Sequence, residues 1–209
     1  MDYDCCIIEV VDLAAVFHIP TLTVCLAATL IIVSGFLTLL WVHERDNRAL
    51  GFWSLGFSAG ALGMVLVSLR ELAPPIVALG LGNGLGIYSI GLIWLGCLAF
   101  EGETRKGSGI IAAAGAVLWL CLFAFPFFAE DLGTRILVAS ILYAGYSFLC
   151  IPILLSGQRR EPLPARLIAL VAFGTHGAAY VVRFPLQLIE PVHLVAGHAP
   201  LWYGTMNFG

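Results

Sequence analysis

The run Pro20-Thr21-Leu22-Thr23-Val24-Cys25-Leu26-Ala27-Ala28-Thr29, continuing without a charge to Leu40-Trp41-Val42, ends abruptly in His43-Glu44-Arg45-Asp46-Asn47-Arg48. An apolar run of this length closed by charges is a membrane-crossing helix and its polar stop. A helix needs about 20 apolar residues to cross some 30 Å of hydrocarbon, and Pro20 stands where a helix can begin. The hexapeptide is too polar to follow it into the bilayer. The same alternation then repeats along the chain. Further apolar runs lie at 50–69, 76–100, 110–128, 136–155 and 166–189. They are separated by Arg70-Glu71 with Pro74-Pro75, by Glu101 to Gly107, by Glu130-Asp131, and by Gly157-Gln158-Arg159-Arg160-Glu161-Pro162. Prolines and charges stop helices, so each break is a turn between antiparallel neighbours.

The expectation is an all-α polytopic bundle of six transmembrane helices. It divides into an extracytoplasmic segment at 1–19, a membrane domain at 20–190, and a tail at 191–209. Over the 209 residues, 60% are hydrophobic and 11% charged, and the mean hydropathy is +0.98. An average soluble domain carries about 25% charge, so a soluble globule is excluded. Six spans leave no room for a soluble catalytic domain. The net charge of −3, with no basic run longer than two, offers nucleic acid no footprint.

Arg45, Arg48, Arg105, Lys106, Arg159, Arg160 and Arg166 fall in alternate loops, and only Arg70 and Arg135 fall in the others. The positive-inside rule places the first set in the cytoplasm and the N-terminus outside. Residues 1–19 hold no Lys or Arg and carry Asp2, Asp4, Glu9 and Asp12, unlike a cleaved signal peptide. In the tail, Leu201-Trp202-Tyr203 has the aromatic character of a membrane interface and reads as the threshold of a seventh span. Arg45 and Arg159 are followed 25 and 24 residues later by Arg70 and Arg183, the trace of a parallel repeat.

Gly80-Leu81-Gly82-Asn83-Gly84-Leu85-Gly86 is glycine-rich but lies inside a membrane helix, where no nucleotide loop can form. Gly80 with Gly84, Gly82 with Gly86, and Gly56 with Gly60 are spaced four apart, and such pairs let helices approach closely. Asn83 is a polar side chain at membrane depth. In the last span His176, Tyr180, Arg183 and Gln187 share one helix face. Ionisable groups in a span are functional candidates, so these four, with Asn83, form a candidate ligand-binding set in an outward-facing pocket. No catalytic constellation is present, and the chain is expected to be no enzyme. His18, His193 and His198 do not make a metal site, no cofactor is expected, and Cys25, Cys97, Cys121 and Cys150 read as small hydrophobes within apolar runs.

The stretch His18-Ile19-Pro20-Thr21-Leu22, the polar break Arg45 to Arg48, then Leu50, Trp53, Gly56, Gly63 and Arg70, then Gly82-Asn83, Gly91, Gly96 and Phe100-Glu101-Gly102 resembles a known pattern. It is similar to the N-terminal membrane module of bacterial diguanylate cyclases that carry a GGDEF domain. The match covers residues 18–103 and is looser from 108 to 190. His18 stands where that family commonly has an acidic residue, and no basic residue directly follows Gly102. The GGDEF motif itself is absent from the chain.

The resemblance implies a multi-span sensory or anchor module in the bacterial inner membrane, itself non-catalytic, feeding a cytoplasmic cyclase that makes cyclic di-GMP. It implies the lipid bilayer, a small-molecule signal and a second copy packed through the glycine faces as partners. The alternative is a small secondary transporter or another integral membrane binding protein. Cys5-Cys6 lies on the segment placed outside, where disulfides form. If the pair links protomers, membranes run on non-reducing gels give a dimer that Cys5→Ser/Cys6→Ser abolishes.

Overall fold

The computed structural model describes residues 19–189, and within them every regular element is helical. The elements are α1 (Ile19–His43), α2 (Arg48–Ser68), a π-helical turn (Ile76–Leu81) running directly into α3 (Gly82–Phe100), α4 (Ser108–Phe123), α5 (Pro126–Glu130), α6 (Leu132–Arg160) and α7 (Pro164–Ile189). Cys5-Cys6, His18, His193, His198 and the tail at 191–209 lie outside the described residues.

Among the described residues five helices are long and apolar enough to cross a membrane: α1, α2, the π turn with α3, α6 and α7. The expected span at 110–128 takes a different form. Its helix α4 stops at Phe123 after 16 residues, about 24 Å at the helical rise. Pro126 then starts the five-residue α5. The residue before a proline is driven out of the helical region, and Phe125 is extended, with φ −97° and ψ 129°. Conversely α6 overruns its expected 136–155 at both ends. Asp131 caps its start, and Pro152 is tolerated inside it.

Helix α3 is the core helix. It packs antiparallel against α2 on one side and α4 on another, with α6 on a third face. Trp94, Cys97 and Leu98 of α3 bury against Ala112 of α4 and Cys150, Ile153 and Leu154 of α6. A second cluster joins Ile87 and Ile90 to Trp119, Phe123, Phe128 and Tyr146. Cys25 and Cys121 are exposed on apolar faces. Helices α1 and α7 form the two edges, and their outward residues, among them Ile32, Phe36, Ile168 and Val171, are exposed and apolar. Such a surface suits lipid, and the molecule is membrane-embedded.

Missing side chains set the spacing within this core. A Cβ on Gly63 would stand 2.6 Å from the Gly82 carbonyl oxygen, and one on Gly82 would stand 2.9 Å from a Val67 methyl. Gly56 and Gly60 of α2 face Ser89 and Ile93 of α3 in the same way. Gly80 faces Phe123, Gly84 faces Leu120, and Gly86 receives the Tyr143 hydroxyl. All six glycines named from their spacing thus lie at helix contacts, but they meet mostly side chains, with backbone close only at Gly56 and Gly82.

Hydroxyls and indoles replace water as partners for buried polar groups. Between α1 and α2, Ser34 bonds Ser58 at 2.6 Å and Thr38 bonds Ser54 at 2.7 Å. Trp53 donates to the Ile93 carbonyl and Trp119 to the Gly80 carbonyl. The second bond serves the π turn, whose wide winding leaves carbonyls ill-matched to donors on their own helix. Tyr146 donates to the Ile111 carbonyl at 2.6 Å and accepts from the Gly115 N–H at 3.0 Å.

Antiparallel packing puts the α1–α2, α3–α4 and α6–α7 turns at one end, with Arg45, Arg48, Arg105, Lys106, Arg159, Arg160 and Arg166. At the other end Arg70 pairs with its neighbour Glu71 at the surface. The arginine matched with Arg70 by sequence interval, Arg183, is only 5% exposed, so the two do not occupy equivalent places.

A Cβ on Gly91 would overlap the Ala112 carbonyl, backbone that cannot yield. Gly91→Val is therefore expected to lower stability by about 1–3 kcal/mol, as overpacking does. Gly145→Ala, with nothing within 4 Å of the new methyl, is expected to be neutral or slightly stabilising. Thermal unfolding of the detergent-solubilised chain compares the two.

Candidate functional site between α6 and α7

The polar face of α7 turns toward α6. His176 sits one turn before Tyr180, and their rings meet edge-on with centroids 4.9 Å apart. Tyr180 stacks on Tyr143 of α6, 4.9 Å between centroids and 15° between planes. The Arg183 guanidinium lies over the other part of this group, 5.2 Å from the Tyr180 ring centre. Cation and ring attract through the ring quadrupole, the more so away from water.

His176 Nδ1 is 2.8 Å from the Ser147 hydroxyl. That hydroxyl has one proton and gives it to the Tyr143 carbonyl at 2.8 Å. It therefore accepts from Nδ1–H. Ser147 is fully buried, whereas His176, Tyr143 and Tyr180 are half-buried. The site thus gathers an imidazole, two phenols and a guanidinium between the two helices.

Gln187 continues the same face and is buried. Its amide lies against Gly133, at the start of α6. Asn83 takes another course, donating from Nδ2 to the Leu79 carbonyl one turn back at 2.8 Å. Like Trp119, it repairs the π turn. Helix α3 reaches the cluster through Gly86 instead, where the Tyr143 hydroxyl occupies the room that a side chain would take. His176, Tyr180 and Arg183 therefore assemble as the spacing implied, Gln187 extends them, and Asn83 serves its own helix.

Tyr143 and Ser147 were not singled out from sequence. They stand four apart on α6, which places them on one face; but Tyr and Ser are ordinary in a membrane helix, and only the facing His176 and Tyr180 give them a role. Beside the cluster, Ser140, Ile141 and Ala144 of α6 and Tyr180, Val181, Phe184 and Pro185 of α7 line an apolar groove of about 250 Å³. Tyr180 is a wall common to groove and cluster. Among the described residues no group of three His, Cys, Asp or Glu side chains is placed to hold a metal.

No protein-family model, curated protein or solved structure matches the chain.

Asp131 anchors the α6 side of this site by capping the helix. Its carboxylate accepts from the Thr134 hydroxyl, the Thr134 N–H at 3.0 Å and the Gly133 N–H at 3.1 Å. The Thr134 hydroxyl bond, followed by that residue's N–H, holds the Asp131 pKa below the usual aspartate range, with a smaller contribution from Arg135. A folded pKa below the unfolded one means stability present above about pH 4, lost as pH falls through the folded value. Asp131→Ala is expected to cost about 1 kcal/mol at neutral pH. It should also flatten the fall in Tm below pH 4 relative to the unaltered chain, measured by unfolding across pH 3–7.

Proposed function

We propose that the chain is a sensory or anchor module of a bacterial inner-membrane signalling protein, with its N-terminus outside and the basic turns in the cytoplasm. The observation that carries this reading is the α6–α7 cluster. Ionisable and hydrogen-bonding groups are costly within a membrane span and are rarely placed there without a partner or a role. Here His176, Tyr180 and Arg183 are gathered between two helices with Tyr143 and Ser147.

The arrangement supports binding rather than catalysis. The described acidic residues, Glu44, Asp46, Glu71, Glu101, Glu103, Glu130, Asp131 and Glu161, all lie at helix ends or in turns. None supplies His176 with the partner that an acid–base or nucleophilic mechanism requires. A small molecule seated at the cluster shifts the module only in so far as it binds two helix packings with different affinity. Helix α7, an edge helix seated mainly on α6, is the element best able to take two positions.

The fuller reading rests on the resemblance over residues 18–103. In that form the module has six spans, with α4 and α5 together making the fourth, pairs with a second copy through helix packing, and feeds a cytoplasmic domain that makes cyclic di-GMP. His176→Leu and Arg183→Leu, introduced separately into the protein encoded by the intact locus, are expected to abolish the response of cellular cyclic di-GMP to growth conditions. Protein levels in the membrane should remain unchanged. An unaltered response in both variants, with the protein present, sinks the proposal.

A further inference from the structure

Phe100-Glu101-Gly102, the last part of the sequence pattern, takes no part in the α6–α7 cluster. It builds a second buried polar centre at the basic end. The Glu101 side chain is only 2% exposed. Its Oε1 accepts from Arg166 Nε at 2.7 Å and its Oε2 from Arg166 Nη2 at 3.2 Å. Arg166, the third residue of α7, also covers the Phe100 ring at 5.4 Å and donates to the Glu161 carbonyl. Phe100 is backed by Trp53 of α2. Gly157 of α6 completes the seat, since a Cβ there would overlap the carboxylate. Three helices, α3, α6 and α7, thus meet at one carboxyl group, with α2 behind the Phe100 ring.

That carboxylate has a second suitor. Arg160, the last residue of α6, approaches Oε2 at 3.5 Å, the same oxygen that Arg166 Nη2 takes, and its side chain is 58% exposed. We propose that Glu101 is the latch of a two-position switch. In the described arrangement Arg166 holds it and the first turn of α7 is drawn onto α3; in the other, the carboxylate passes to Arg160 and that turn withdraws.

Exchange is the physically accessible route. A carboxylate left alone among buried groups is strongly disfavoured, whereas a hand-over keeps it paired throughout. Arg160 already touches Oε2 at 3.5 Å and has only to close on it as Arg166 lets go. Arg166 withdraws toward the α6–α7 turn, where the Glu161 carbonyl already holds one of its nitrogens, and long cationic side chains snorkel readily to an interface. Little apolar packing resists the movement. Leu167, Ile168 and Val171 are already exposed, and α7 touches the core beside the latch through Ala169, Leu170 and Phe173. The switch stands independently of any ligand at the α6–α7 cluster.

The test places spin labels on ketone-bearing residues encoded at the exposed positions Thr104 and Ala165, with the native cysteines left in place. Distances are read by pulsed resonance on the full chain in lipid nanodiscs. Two populations are expected. Arg160→Gln should remove the longer distance and Arg166→Gln the shorter, and Glu101→Arg with Arg166→Glu should restore the shorter. A single distance that Arg160→Gln leaves unchanged overturns the proposal. So does a shorter population that survives Arg166→Gln. Should Arg166→Gln fail to fold, the comparison with Arg160→Gln, a change at an exposed side chain, decides alone.

Discussion

In hydrocarbon two apolar helices gain nothing by hiding from lipid, so what holds them together must come from close packing and from polar groups with nowhere else to go. Helix α3 meets both conditions. Its neighbours sit at distances that a β-carbon would forbid at Gly82, Gly86, Gly91 and Gly96, and that Gly63 permits from the α2 side. The placements of α2, α4 and α6 follow from these approaches. Helix α4 lies with its Ala112 carbonyl over Gly91, α2 lays the Trp53 indole in the space at Gly96, and α6 sends the Tyr143 hydroxyl to Gly86.

Close approach also brings polar tips within reach of backbone. Tyr146 bridges to Ile111, Ala112 and Gly115 of α4, and Trp119 and Asn83 bond carbonyls of the π turn. Each bond satisfies a group that lipid cannot. The same residues therefore bond and pack, which explains why aromatic side chains with a polar end recur at the glycine contacts.

The two buried polar centres stand at different heights of the α6–α7 pair. One, Tyr143 with His176, Tyr180 and Arg183, joins these two helices by ring contacts and touches α3 at Gly86. The other, Glu101 with Arg166 and Arg160, ties the beginning of α7 and the end of α6 to α3. Helix α7 is thus fixed to the core by charge at its first turn and to α6 by stacked rings further along. An element so lightly buried, held at two points by polar contacts, is where a two-state movement is least costly.

The class of solvent, the helical architecture and nearly all the turns are legible in the order of residues alone. Backbone satisfaction in lipid leaves only helices for runs such as 20–42, and Pro74-Pro75 or Arg159-Arg160-Glu161-Pro162 can only be breaks. The shared face of His176, Tyr180, Arg183 and Gln187 was legible for the same reason, because helical periodicity is a local property. Which residues answer that face was not. Tyr143 and Ser147 carry no signal in the sequence, since their roles exist only once α6 lies opposite α7. Glu101 read as one more loop acid until the tertiary structure placed it against Gly157, 56 residues away in sequence, and beside Arg166. Asn83 read as a candidate ligand, yet the π turn behind it claims its amide. The break of α4 at Phe123 is set locally by Pro126, but hydropathy does not mark it because the residues around it are apolar. Periodicity and hydropathy report what one helix offers to its surroundings; only the packed bundle decides which helix takes up the offer.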